Sequence, residues 1–390
     1  MSLRDDLENV LRAWNSYELA RQAPAVIDFD CYPRRRQSIE PPLDRLSTYK
    51  RLLRISRSAD SEGDVDLAER ADAHLAYVRA LMGERALLDD YVLTTQGCRA
   101  KGWSEEYIHQ VGEKARLCLS ALGIQWNADT RTRLAEVEQV IDPAEAPEAI
   151  AQAARELDPA VREITAASAP FDLQVETTNL SVQWAYRTDG VGQAVRVRLN
   201  RKQAQFTNVL VRQFALHEVL GHGLKSASYA QECAANESVP WARLLSSHTQ
   251  EQVMLEGLAQ ALPLFVTPND ELLTARVRLD HYIQLVSSSL HVAINHQASV
   301  RDCVEYAKSH VPYWKNEDIA DVITDRGADP LLRSYLWAYP AGIDWFVNLA
   351  DAKAPETSSI LQAAYRSPLT PRDLSGLWPS GPPIGGSGLR

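Results

Sequence analysis

Cysteine is scarce in this 390-residue chain: Cys31, Cys98, Cys118, Cys233 and Cys303 are odd in number, widely spaced and never in a C-x-x-C pair. That argues against a disulfide framework and predicts reduced, buried thiols in a cytoplasm. Long apolar runs are also missing, so no segment is expected to cross a bilayer and no membrane partner is implied. The opening residues, Met1-Ser2-Leu3-Arg4-Asp5-Asp6-Leu7-Glu8, mix charges with apolar side chains where a signal peptide needs an unbroken apolar stretch, so export is not expected. Positive charge is in deficit. A formal net charge of −10 argues against a nucleic-acid binder, and the run Arg34-Arg35-Arg36 reads as solvated surface. There is no internal repeat.

Apolar residues make up 45% of the chain and charged residues 24%, the balance of a folded protein with a large core. The length predicts two to three units or one elongated helical body. Residues 7–167 carry helical periodicity, as where Leu67, Ala71, Leu75, Val78 and Leu81 recur at three and four. Region 1–168 is therefore expected to be a helical scaffold. The texture changes near Pro170. Val182, Trp184 and Tyr186 alternate, a turn is expected over 188–192, and Val195, Val197 and Leu199 alternate with Arg196 and Arg198; this predicts a β-hairpin. Helices return over the rest of region 169–377, and the Gly/Pro/Ser-rich 378–390 is expected to be a flexible tail that does not pack.

The informative segment is Phe214-Ala215-Leu216-His217-Glu218-Val219-Leu220-Gly221-His222-Gly223. Burying unpaired histidine and glutamate inside an apolar helix costs several kcal/mol in typical cases, so a compensating partner is expected. In the familiar His-Glu-x-x-His helix the histidines are four apart and face one ion. Here they are five apart, and on a regular α-helix they would diverge. A single wide π-type turn realigns them, with Gly221 placed to tolerate it. Glu256 is the only charged residue between Glu251 and Asp270, so it predicts a third ligand. Glu232 and Glu237 compete for that role, and a carboxylate paired with an arginine is the structural alternative. His217, His222 and Glu256 would leave one tetrahedral position of a Zn2+ ion open, as in catalytic sites. Glu218 would then be the general base on the metal-activated water, with Gln260 as a supporting partner of a ligand.

The short motif resembles that of dipeptidyl peptidase III, a zinc exopeptidase whose ligand histidines are also five apart. The longer arrangement is more similar to a bacterial gluzincin-like metallopeptidase family classed as a domain of unknown function, which reads His-Glu-x-x-Pro-Gly-His-His-Leu-Gln and then Glu-Gly-Trp-Ala. Gly221-His222-Gly223-Leu224-Lys225 stands against the first block and Glu256-Gly257-Leu258-Ala259 against the second. Leu290-His291, with the helix that follows it, and Tyr339-Pro340-Ala341-Gly342 resemble later blocks, so the resemblance spans 171–349. It implies that Tyr339 and His291 hydrogen-bond the oxyanion. Departures stand beside it: the family's proline before Gly221 is absent, its second histidine is Gly223, its tryptophan is Leu258, and its acidic residue and arginine before the Leu-His block are Ser287 and Ile283.

The expectation is a mainly α, helical gluzincin-type metallohydrolase with a small β-hairpin near the active-site cleft. Gluzincins often pair substrate with such an edge strand, which makes Arg196 and Arg198 candidates to meet a substrate carboxylate. The expected substrate is a peptide or small amide. A tailoring amidohydrolase acting on a small metabolite and a non-catalytic helical binding protein remain alternatives.

Overall fold

Short polar residues set the helix starts, and the chain follows them. The computed structural model describes residues 2–33, 41–179, 185–202, 205–236 and 243–388. Ser2 opens α1 (Leu3–Ala20) with a capping box to Asp5. After β1 (Phe29–Asp30), Asp44 and Asp64 cap α2 (Arg45–Glu62) and α3 (Val65–Leu81) by accepting from Ser47 and Leu67 backbone N–H groups. Next come α4 (Leu88–Gln96), α5 (Glu105–Ala121, capped by Ser104), α6 (Thr130–Glu138) and α7 (Ala146–Thr165). Three strands follow: β2 (Asp172–Thr178), β3 (Tyr186–Val191) and β4 (Ala194–Asn200).

Thr207 caps α8 (Asn208–Phe214), which runs without interruption into a π-helix (Ala215–Leu224) and then α9 (Lys225–Ala235). The remaining elements are β5 (Leu244–Leu245), α10 (Gln252–Val266), α11 (Glu271–Asn295), α12 (Val300–His310), α13 (Asn316–Ala328), α14 (Leu332–Ala352), α15 (Thr357–Arg366) and α16 (Pro371–Leu377). The fold is mainly α with a small mixed sheet in the order β2-β4-β3-β1-β5. No helix among the described residues is long and apolar enough to cross a membrane.

β3 and β4 form the expected hairpin, pairing antiparallel from Tyr186↔Leu199 to Val191↔Ala194. The turn lies later than expected, at Gly192 and Gln193. Gly192 takes a positive φ of 60°, which lets a two-residue connection match the strand twist. Val182 and Trp184 lie outside the described residues, as do Arg34, Arg35 and Arg36. The hairpin is not a free edge: β2 pairs parallel with β4, and β1 pairs with Gly190 and Val191, leaving only 186–189 of β3 without a described neighbour on that side. Val195, Val197 and Leu199 face inward and are buried.

The boundary expected near 168 does not divide the core. Ile150, Ala154 and Val161 of α7 pack with Leu216, Val219 and Leu220 of the π-helix, and β1 joins a sheet built by residues 172–200. The C-terminal stretch also departs from expectation, because it packs. Trp378 stacks edge-on against Trp345 with ring centroids 5.4 Å apart. Further on, Gly102 N–H donates to Gly385 O and Gly388 N–H to Gly102 O, each at 3.1 Å. The absence of side chains permits that docking, since a Cβ on Gly386 would lie 1.8 Å from Gly102 O.

Candidate metal centre

The five-residue interval between His217 and His222 is spanned by π-helix rather than by one wide turn in an α-helix. All ten residues of Ala215–Leu224 take that form, in which hydrogen bonds reach from i to i+5 and residues five apart come into line. The two Nε2 atoms lie 3.2 Å apart. Gly221 contributes through its missing Cβ rather than through an unusual φ: a Cβ there would meet Leu216 O at 2.8 Å and Ala259 Cβ at 2.9 Å. The π-helix can therefore lie close against α10, the helix that carries Glu256.

A second close approach fixes α10 from its other side. A Cβ on Gly257 would fall 2.3 Å from Gly342 Cα, and one on Gly342 would fall 2.1 Å from Val253 O. Backbone thus meets backbone where α10 crosses α14, immediately after Glu256. The crossing brings Tyr335 and Tyr339, one turn apart on α14, over the Glu256 carboxylate. Tyr335 donates to Glu256 Oε1 at 2.5 Å, and the two tyrosine hydroxyls lie 3.0 Å apart.

Glu256 is buried, with Oε2 3.4 Å from His217 Nε2 and Oε1 3.6 Å from His222 Nε2. Its ion-pair partners among the described residues are these imidazoles, not an arginine. Burial alone would raise the Glu256 carboxyl, but His222 and His217 outweigh it and hold it well below the usual range. Burial likewise opposes charge on His217, while Glu256 and Glu218 raise it. One donor from each of His217, His222 and Glu256 lies within 4.8 Å of the others.

Two observations test whether this set suits a metal. Glu256 Oε2 is buried without a hydrogen-bond partner, which is costly for a charged oxygen. The facing Nε2 atoms can share at most one proton between them, and a single cation among the three converging groups would satisfy all of them. Two imidazoles and a carboxylate are suitable ligands for zinc. The residues fit the group.

Glu218 lies beside the donors, with Oε1 3.6 Å from His217 Nε2, and opens into a cleft of about 450 Å³ that also borders His217, Gln260 and Tyr339. Tyr186 at the start of β3 lines the same cleft and packs edge-on against Phe214, so the hairpin does border it. Gln260 bonds the backbone oxygen of Glu256 at 3.1 Å rather than its carboxylate. Glu232 lies on α9 outside the donor group, and Glu237 lies outside the described residues.

Three sequence candidates stand apart from this centre. His291 is buried on α11 against the edge of Trp337, and its Nε2 meets the backbone oxygen of Arg333 at 3.0 Å. Burial holds it well below the ordinary histidine value, so it is a neutral core group without access to the cleft lining. Arg196 and Arg198 alternate with the inward valines of β4 and both pair with Asp189 of β3. Neither lines the cleft.

Sequence reading overlooked two residues at the centre. Tyr335 precedes Tyr339 by one helical turn, a spacing that carries the signal once Tyr339 is suspected. Lys225 is buried three residues after His222, donating to Leu255 O at 3.4 Å, and burial pushes it down to about 7.

The sequence matches no family model and no curated protein. Among solved structures the chain is similar to "the putative lipoprotein from Colwellia psychrerythraea", with a TM-score of 0.55 and 11% identity over 86% of this chain and 63% of that chain. The chain thus spans under two thirds of that protein's length, and the likeness shows a common fold.

Proposed function

We propose that the protein is a zinc-dependent hydrolase of a peptide or small amide bond, of gluzincin type. The observation that supports this reading most is the convergence of His217, His222 and Glu256 with Glu218 beside them at a cleft. His217 and His222 would supply Nε2 ligands and Glu256 a carboxylate oxygen. When bound, zinc supplies Lewis-acid polarisation of the substrate carbonyl and makes water a stronger nucleophile at neutral pH.

The chain's own residues do the rest. Glu218 takes a proton from the attacking water and passes it to the leaving nitrogen as the C–N bond breaks. Tyr339 lines the cleft and gives its hydroxyl proton to Tyr335, whose own proton goes to Glu256; turned toward bound substrate, that proton of Tyr339 would be donated to the oxygen that gains negative charge. Tyr335 orients Glu256. The cleft volume suits a ligand of drug size, which favours a small amide or short peptide over a long chain. A cytoplasmic setting accords with the five free cysteines.

The test begins with elemental analysis of the purified protein beside His222→Ala and Glu256→Ala. One zinc per chain, lost in both variants, is expected; a wild type that takes up no zinc ends this reading. A panel of peptides and small amides then tests turnover. Glu218→Gln is expected to keep the metal and lower turnover by roughly 10²–10⁴-fold. Metal binding without turnover of any probe would favour a binding protein instead.

A further inference from the structure

The cleft has a chemical bias that hydrolysis alone does not require. Among its described lining residues there is no lysine or arginine, whereas Asp280 on α11 contributes a second carboxylate beside that of Glu218 to the lining. One Asp280 oxygen accepts from Gln213 Nε2 at 2.6 Å. Arg276, one turn earlier on α11, is held by Glu138. One turn after Asp280, on the same helical face, Gln284 also lines the cleft, and its Oε1 is buried with no hydrogen-bond partner. Two acceptors one turn apart on α11, a carboxylate and an unsatisfied amide oxygen, thus line the cleft together with the aromatic rings of Tyr186, Phe206 and Phe214.

Chemistry narrows what can fill such a place. A substrate carboxylate or phosphate would meet repulsion from Asp280 and Glu218. A neutral hydroxyl would satisfy Gln284 but add no positive charge beside Asp280, whose nearest cationic influence, Arg276, is itself paired with Glu138. A protonated amine carries three N–H donors and a positive charge, which suits both acceptors at once. Burial raises Asp280 above the usual carboxylate value, and Arg276, Gln213 and His217 offset that only in part.

We propose that the cleft selects substrates bearing a protonated amine, anchored by Asp280 and Gln284 Oε1, with the apolar body of the molecule against the aromatic wall. This deepens the hydrolase reading and rests on it for the orientation of the scissile amide toward Glu218. The substrate class is then a small amide or short peptide with a free amino group. It is the reverse of the carboxylate recognition expected from Arg196 and Arg198.

Titration calorimetry of the zinc-loaded full-length protein with phenylalanine amide and with N-acetylphenylalanine amide tests the anchor by binding. The free amine is expected to bind roughly 10- to 100-fold more tightly, the scale of a hydrogen bond to a charged group. Asp280→Asn, which keeps the partner of Gln213, should erase the difference without changing affinity for the acetylated probe. Gln284→Leu should weaken the amine alone. Equal binding of both probes, binding of neither, or a preference that survives Asp280→Asn overturns the proposal. Ammonia release, followed in parallel, separates the two readings. An amine preference without release supports the anchor and counts against hydrolysis; release from both probes at equal rates supports hydrolysis and overturns the anchor.

Discussion

The Glu256 carboxylate divides its work between its two oxygens: Oε1 accepts from Tyr335, while Oε2 is left to face His217. Tyr335→Phe removes the orienting donor without opening space in the fold. Metal affinity is expected to fall roughly 10–100-fold, as for other residues that orient a ligand, while the melting temperature of the metal-free protein changes little; competition against a chromophoric chelator reads the loss. His217, His222 and Glu256 were legible in the sequence because each is a costly polar group in an apolar helix. Tyr335 was not, since tyrosine on a helix is ordinary until a partner is known. His291 and the two arginines were misplaced for a related reason. A core histidine satisfied by a backbone oxygen and an arginine satisfied across a hairpin look in sequence like groups awaiting a substrate.

At the scale of elements, two backbone approaches build the centre, one at Gly221 and one between Gly257 and Gly342. Gly342→Ala places a methyl 2.1 Å from Val253 O, and a backbone atom cannot rotate away as a side chain does. The helices must separate, so thermal unfolding should show a loss of about 3 kcal/mol, at the upper end for overpacking, together with reduced zinc stoichiometry. Gly112→Ala makes a useful contrast, because its methyl would meet the edge of the Tyr282 ring between α5 and α11, neither of which carries His217, His222 or Glu256, and should cost stability without costing metal. The five-residue histidine spacing revealed that the helix must widen, but not that the wide form extends over ten residues. The α10–α14 crossing was hidden: two glycines 85 positions apart announce no contact.

Across the whole molecule, the helical class and the hairpin followed from periodicity, whereas the continuity of the core did not. Apolar alternation tells which face is buried, not which distant segment buries it. That is why α7 was assigned to a separate scaffold and the C-terminal glycines to an unpacked tail.

Buried imidazoles also give the whole fold a pH dependence. His74 Nδ1 meets His248 Nε2 at 2.8 Å, and burial pushes His248 down to about 3 and His74 well below its usual value. Because the folded values are lowered, the native protein refuses protons that the unfolded chain accepts below about 6.5. Stability is therefore complete above that pH and declines as pH falls toward 3, by up to about 1.4 kcal/mol per pH unit for each histidine. Urea unfolding of the metal-free protein at pH 7 and pH 5 should show this decline, and His248→Gln should make it shallower whatever the variant's own stability.

The Gly257–Gly342 crossing also bears on how the substrate range of such a protein can change. The wall of the cleft that carries Tyr339 is tied, backbone to backbone, to the helix that carries Glu256. Enlarging that wall would move Glu256, a ligand of the proposed zinc site. The opposite group of rings is Tyr186 on the hairpin, Phe206 before α8 and Phe214 at the end of α8, three residues before His217. Under the proposed function, divergence to new substrates has its open route through Tyr186 and Phe206, which lie on neither ligand helix, and a closed one through α14.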